Sequence, residues 1–140
     1  QKLLHDWTVV NEENKWESSV RSLAFSQDGT LLAVSTGGES CPTCPGASVQ
    51  IWDINTGNNL LFIERSESVN SLAFSPDGKL LASGDSSGLL TLWDTQSGQI
   101  LIEVNTARYG LAIESLAFSP DGSRVAVSGG PLQIWAISGR

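Results

Sequence analysis

Methionine is absent from this chain, and histidine and cysteine are scarce: its 140 residues include one His and two Cys. A closed structural zinc site needs four ligands, so one chain cannot build it from thiols and imidazole alone. The single histidine, His5, falls in a predicted outer strand, which gives a Ser-His-Asp triad weak support. Because the chain begins with Gln1 and has no Met, we expect a processed product or a fragment of a longer one.

Long apolar runs are also missing, and basic residues are few. No run of about 18 apolar residues is present to span a membrane, and no basic start precedes an apolar core as in a signal peptide. Lys and Arg number 8 against 15 Asp and Glu, which gives a net charge of −7. Nonspecific nucleic-acid binding needs a basic face. We therefore expect a soluble protein with no nucleic-acid or membrane partner; its compartment stays open, with the cytoplasm favoured.

One sequence motif, called the first phrase below, occurs three times in the chain. It reads VRSLAFSQDGTLLAVS from Val20, VNSLAFSPDGKLLASG from Val69 and IESLAFSPDGSRVAVSG from Ile113. A second phrase follows each copy: SVQIWDINTG, LLTLWDTQSG and PLQIWAISG. The apolar runs are short and continuous, as in strands buried on both faces. The internal repeat predicts a stack of similar β units and almost no helix.

Each first phrase contains a turn signal of the form Ser-x-Asp-Gly. Pro presets φ at the first corner of two of these turns, Asp bonds its own backbone, and Gly accepts a positive φ. We therefore predict that Asp28, Asp77 and Asp121 form turns and are not catalytic. No Gly-rich loop precedes a helix, so a phosphate cradle is not indicated.

The second phrase carries a Trp-Asp pair in Trp52-Asp53 and Trp93-Asp94, while Trp135-Ala136 keeps only the Trp. With a period of about 40–45 residues, the chain resembles the WD-repeat (WD40-type) family. Its LAFSPDG motif is similar to the repeats of propellers within large bacterial proteins. The resemblance implies an all-β fold: a β-propeller segment of three four-stranded antiparallel blades in one domain over residues 1–140. The blade repeats are expected at about 3–53, 54–94 and 95–138.

The resemblance also implies a hydrogen-bonded side-chain tetrad in each blade. The Trp residues above match its first member, and Ser35, Ser83 and Ser128 are candidates for its Ser or Thr. The His is missing from all three repeats. The position where the Asp usually lies holds Gly46, Ser87 and Gly129, so the tetrad is incomplete.

Three blades are too few to close a propeller, which typically has four to eight. The uncapped ends should be covered either by a second copy, which would give six blades, or by missing blades of a longer chain. The stretch Leu3 to Val9 has the phase of an outer strand. In a pair of chains it is expected to complete a blade beside Leu132 to Ile137 of the other chain.

Cys41 and Cys44 lie in an insertion between two strands of the first blade, which is longer than its counterparts in the other repeats. A Cys-x-x-Cys pair is compatible with a disulfide that pins the loop, with two free thiols, or with metal or redox chemistry. Since the chain offers no further ligands of this kind, we expect an exposed loop with no metal bound.

The resemblance implies binding at the mouth of the central channel and on the face that carries two sets of loops, those between blades and those between the second and third strands of each blade. Loops on a rigid scaffold often carry function. The two long loops of the first blade place a tryptophan among carboxylates, which suits a basic partner; packing of Trp16 against its own blade is the alternative. A second, weaker candidate is Arg108 with Tyr109. The predicted partner-binding residues are Glu12, Glu13, Trp16, Glu17, Glu39, Arg108 and Tyr109.

The sequence thus predicts a noncatalytic scaffold that binds protein or peptide, with no cofactor and no metal. One alternative is a regulatory or supporting propeller portion of a larger multidomain enzyme. Another is a structural element whose open ends drive self-assembly. Fold alone does not separate these functions.

Overall fold

The structure, a computed structural model, describes residues 2–3, 19–37, 47–106 and 110–137. These residues form strands and turns, with no helix among them. The all-β prediction is confirmed. Eleven strands follow one another: β1 (Ser19–Phe25), β2 (Leu31–Gly37), β3 (Ala47–Asp53), β4 (Asn59–Arg65), β5 (Val69–Phe74), β6 (Leu80–Asp85), β7 (Leu89–Asp94), β8 (Ile100–Asn105), β9 (Ser115–Phe118), β10 (Arg124–Ser128) and β11 (Gln133–Ala136).

The strands form three antiparallel sheets in sequence order. The first blade is β1-β2-β3-β4, the second is β5-β6-β7-β8, and the third contains β9-β10-β11. A fourth strand of the third blade is not among the described residues, and most of the stretch Leu3 to Val9 lies outside them. The first two sheets are the predicted four-stranded blades of a partial propeller.

The repeated turns form as predicted, and their chemistry is local. In the first blade, Ser26 Oγ donates to Asp28 Oδ1 at 2.6 Å and accepts the Leu31 N–H at 2.9 Å. Gly29 follows with a φ of 71°, a conformation that suits glycine. The same pattern recurs with Ser75 and Asp77 in the second blade, and with Ser119 and Asp121 in the third.

Each sheet has two apolar faces, because alternate residues of a strand point to opposite sides and directly paired residues share a face. We call the side with the larger side chains the leucine face and the other side the alanine face. The leucine face carries Leu23, Phe25, Leu32 and Trp52 in the first blade, Leu72, Phe74, Leu81 and Trp93 in the second, and Leu116, Phe118, Val125 and Trp135 in the third. The alanine face carries Ala24, Ala33 and Ile51, then Ala73, Ala82 and Leu92, then Ala117, Ala126 and Ile134.

The core consists of two interfaces in which unlike faces meet. The alanine face of the first blade packs on the leucine face of the second around Ala33, Ile51, Leu81 and Trp93. The alanine face of the second blade packs on the leucine face of the third in the same way. The stack is therefore directional: one leucine face and one alanine face remain at its two ends.

Candidate functional site

The strands bring the ends of the two long first-blade loops together at one edge of the sheet. Ser19, where β1 begins, is paired with Gly37, where β2 ends. Ala47, where β3 begins, is paired with Arg65 on the other side of the same sheet end. Both loops predicted to bind a partner therefore start from neighbouring backbone positions.

Gly37 at this edge is closely surrounded. A Cβ added there would meet Oγ of Ser68, in the connection from β4 to β5, at 2.7 Å, and Nε of Arg21, in the same blade, at 2.8 Å. This lack of space explains the glycine better than a special φ does, since Gly37 has no positive φ.

The side chains predicted to make the site lie outside the described residues. This holds for Glu12, Glu13, Trp16, Glu17 and Glu39, for Arg108 and Tyr109, and for Cys41 and Cys44. The structure describes the positions that flank them. Of these, Thr106 is anchored: its N–H and its Oγ1 each donate to the Gly88 carbonyl at 2.9 Å.

Sequence reasoning missed a buried carboxylate in the second blade. Asp85 Oδ1 accepts from the Ser87 N–H at 2.9 Å, the Ser87 hydroxyl at 2.7 Å and the Leu89 N–H at 2.9 Å. Asp85 is therefore the carboxylate that holds the β6–β7 turn, whereas the resemblance placed the Asp of that turn at the position of Ser87. The signal was the Gly-Asp-Ser-Ser-Gly run itself, which is typical of a turn.

A second missed feature is a charged contact between the first two blades. Arg65 Nη2 lies 3.2 Å from Glu103 Oε1, and its guanidinium carbon lies 5.2 Å from the centroid of the Trp93 ring. The Thr91 hydroxyl donates to the same Glu103 oxygen at 3.3 Å. Glu103 therefore links the first and second blades.

The indole groups correct the tetrad assignment. Trp93 Nε1 donates to Ser83 Oγ at 2.8 Å, as predicted. Ser35 and Ser128 were wrong, because they stand one residue further along their strands and so on the opposite face; Ser35 Oγ instead donates to the Val69 carbonyl at 2.8 Å. Valine occupies the position of Ser83 in the first and third blades, as Val34 and Val127.

Glutamine replaces the missing acceptor in those two blades. Trp52 Nε1 donates to Gln50 Oε1, and Trp135 Nε1 donates to Gln133 Oε1, both at 3.1 Å. In the second blade the corresponding position is Thr91. A buried indole N–H needs an acceptor, and the chain supplies it from either of two neighbouring positions.

The turn carboxylates are committed to structure. The Ser26 hydroxyl lowers the pKa of Asp28, and the Thr56 N–H lowers that of Asp53. The Ser97 hydroxyl lowers the pKa of Asp94. The hydroxyl of Ser119, aided by Ser123 and Arg124, lowers the pKa of Asp121 to about 2. Such groups stay ionised at neutral pH and do not serve as general acids.

Other chemistry is sparse in the part of the chain that the structure describes. No group of three or more His, Cys, Asp or Glu side chains comes together there as a metal site would require. A small cavity in the third blade is lined by residues such as Leu111, Ile113, Ser128 and Gln133, none of them titratable. No helix able to cross a membrane occurs among the described residues.

The repeated blades and their Trp-Asp turns agree with the comparison to known families. The WD40 family (WD domain, G-beta repeat) matches residues 9–53 and 57–94. The chain belongs to the WD40 family. No curated protein matches it. The third sheet carries the same strand phrase but lies beyond the matched residues. WD40 repeats generally mediate protein–protein interaction as scaffolds.

Proposed function

We propose that this WD40 chain is a noncatalytic scaffold that binds a protein or peptide on the loop edge of its first blade. The observation that carries the proposal is the pairing of Ser19 with Gly37, from which both long loops depart. A rigid sheet that fixes two long loops at one edge is a common arrangement for recognition. The described carboxylates with lowered pKa values are engaged in turns, which supports binding over catalysis.

The chemistry of these loops favours a basic partner. Their sequences contain Glu12, Glu13, Glu17 and Glu39 around Trp16, and the chain as a whole has a net charge of −7. Carboxylates steer a basic segment toward the surface, while a desolvated indole supplies most of the binding energy at a hot spot. Arg108 and Tyr109, in the sequence between the second and third blades, are proposed as a second contact region.

The test is titration of the whole chain with an Arg- and Lys-rich peptide and with an acidic peptide of the same length. We expect the basic peptide alone to bind. Trp16→Ala should weaken its binding by about 2 kcal/mol, or roughly 30-fold. Tyr109→Ala should have a smaller effect. Unchanged affinity for Trp16→Ala, or a loss of stability instead, would support packing of this indole against its blade.

A second candidate function is self-assembly, and a specific observation favours it. Apolar side chains are exposed at both ends of the stack, including Phe25 in the first blade and Ile134 in the third. Exposed apolar patches beside unpaired strand edges mark association surfaces.

A further inference from the structure

The two interfaces inside the stack are built alike. Ser22 Oγ of the first blade accepts the Leu72 N–H of the second at 3.1 Å. Ser71 Oγ of the second blade accepts the Leu116 N–H of the third at 3.0 Å. In each interface, a serine on the first strand of one blade therefore accepts the backbone N–H of a leucine on the first strand of the next blade. Ser115 holds the same place in the third blade.

A second contact uses an equivalent carbonyl in each interface, with a different donor. The carbonyl of Val69 accepts from the Ser35 hydroxyl at 2.8 Å. The carbonyl of Ile113 accepts from the Asn70 amide at 3.2 Å. Ser128 occupies in the third blade the strand position that Ser35 occupies in the first. The third blade therefore carries both of the serines that the first blade uses to hold its neighbour.

The two ends of the stack expose the unused halves of such an interface. On the leucine face of the first blade, Leu23 is 60% and Phe25 is 63% exposed, whereas the equivalent Leu72 is 6% exposed. On the alanine face of the third blade, Ile134 is 66% exposed, whereas the equivalent Ile51 is 2% exposed. Arg124, the first residue of β10, departs from the pattern, since Leu31 and Leu80 hold its position in the other blades.

Resting on the self-assembly candidate, we propose that the leucine face of the first blade binds the alanine face of the third blade in a second copy of this chain. Apart from Arg124, the two faces carry similar residue types, in the same register, as the pairs that already meet twice within the chain. In the pair, Leu23 and Phe25 cover Ala117, Ala126 and Ile134. Ser115 accepts the Leu23 N–H, and Ser128 donates to the Val20 carbonyl.

The number of copies follows from closure. A head-to-tail contact is heterologous and repeats until a ring closes. Propellers close with about four to eight blades, and the described residues of each chain form three sheets. Six is the one multiple of three in that range, so two chains close one ring with twofold symmetry.

The test measures the mass of the whole chain by sedimentation velocity over about a hundredfold range of concentration. We expect a dimer. Phe25→Asp and Ile134→Asp each place a carboxylate in both interfaces of the ring and should raise the dissociation constant about 100-fold or more. Leu101→Asp is the matched control: Leu101 is 53% exposed on the outer strand of the second blade, and its dimer should persist.

Mixing the two variants tests the direction of the contact. In a mixed pair, one interface carries both carboxylates, while the other joins an unchanged leucine face to an unchanged alanine face. We expect the mixture to form a dimer at concentrations where each variant alone is a monomer. A mixture that stays monomeric well above the midpoint of the parent chain contradicts the head-to-tail contact, as do larger open assemblies of the parent chain.

Hydrogen exchange on the unmodified chain gives a readout that does not depend on variants. The amides of β1 and β9 should become more protected as concentration rises, while those of β6 and β7 should change little. A parent chain that is monomeric throughout overturns the proposal and leaves the faces to blades of a longer protein. Trp16→Ala should leave the dimer intact and Ile134→Asp should leave peptide binding intact, so the two proposals fail separately.

Discussion

The first and second blades have nearly the same strands, yet their leucine faces are in opposite environments. Leu72 and Trp93 of the second blade lie in a closed interface, whereas Leu23 and Phe25 of the first are exposed. The sequence phrase is shared, so the difference comes from the neighbouring blade alone. In a stacked repeat protein, a face of one repeat is buried by the neighbouring repeat and not by its own.

The largest expected effect tests this contrast directly. In an Ile134→Asp background, in which the chain should be monomeric, Leu72→Ala should lower the free energy of unfolding by about 3 kcal/mol, because it removes buried methyl groups. Leu23→Ala should change it by about 0.5 kcal/mol or less, as at an exposed site. Urea unfolding measures both. Equal losses would mean that the leucine face of the first blade is covered within the chain.

A second prediction compares two equivalent positions on the alanine faces, Gly84 in the second blade and Ser35 in the first. A Cβ added at Gly84 would collide with the side chain of Ile113, whereas the equivalent Ser35 faces the smaller Val69. We expect Gly84→Ser to cost about 1–3 kcal/mol through overpacking. In an Ile113→Ala background the cost of Gly84→Ser should be smaller, since that change removes Cγ2, the atom nearest the added Cβ. An equal cost in both backgrounds, measured by thermal unfolding, would contradict the clash with Ile113.

The third comparison concerns the indole acceptor. Ser83→Val gives the second blade the valine that the first and third blades have, and leaves the Trp93 N–H without its 2.8 Å partner. The expected cost is about 1–3 kcal/mol. Thr91→Gln in the same chain should recover at least part of it by supplying the acceptor that Gln50 provides in the first blade. The indole proton resonance of Trp93 reports whether the bond returns.

The smallest effect concerns the turns. The pKa of Asp121 is lowered to about 2 in the folded chain, chiefly by the Ser119 hydroxyl, and its unfolded value is about 4. A carboxyl with a lowered folded pKa stabilises the fold above its unfolded pKa, and that contribution is lost as the pH falls from about 4 to about 2. Asp121→Asn should therefore make unfolding less dependent on pH in that window. Asp28→Asn should act in the same direction, and an unchanged acid profile in both would show that these turns do not couple to folding.

The strands and turns could be predicted because their signals are local. Ser75, Asp77 and Gly78 lie together in sequence and form one turn, and the apolar runs between such turns set the strands. The Ser35 and Ser128 assignments failed because a shift of one residue moves a side chain to the other face, and choosing between the two needs the pairing itself. The equivalence of Val34 to Ser83 could be recognised only once the pairing register of the strands was known.

The candidate site was less predictable, since its described features join residues far apart in the chain. Arg65, Glu103 and Trp93 meet across two blades, and no sequence spacing indicates that contact. Asp85 was missed because its position in the turn was expected at Ser87. The predicted binding residues on the loop edge stay a prediction, and the structure contributes the Ser19–Gly37 pairing from which their loops begin.

The order of strands within each sheet also has a consequence for how the chain folds. Every strand in the first two blades pairs with its immediate neighbours in sequence, so most backbone pairing closes short loops. Closing a short loop costs little conformational entropy, so each blade can form as a unit. During synthesis the first blade can pair all of its strands once Arg65 has emerged, before any residue of the second blade is needed. The alanine face of the first blade, however, is covered only when Val69 to Trp93 follow. The nascent chain is most prone to aggregate in the interval between those two events.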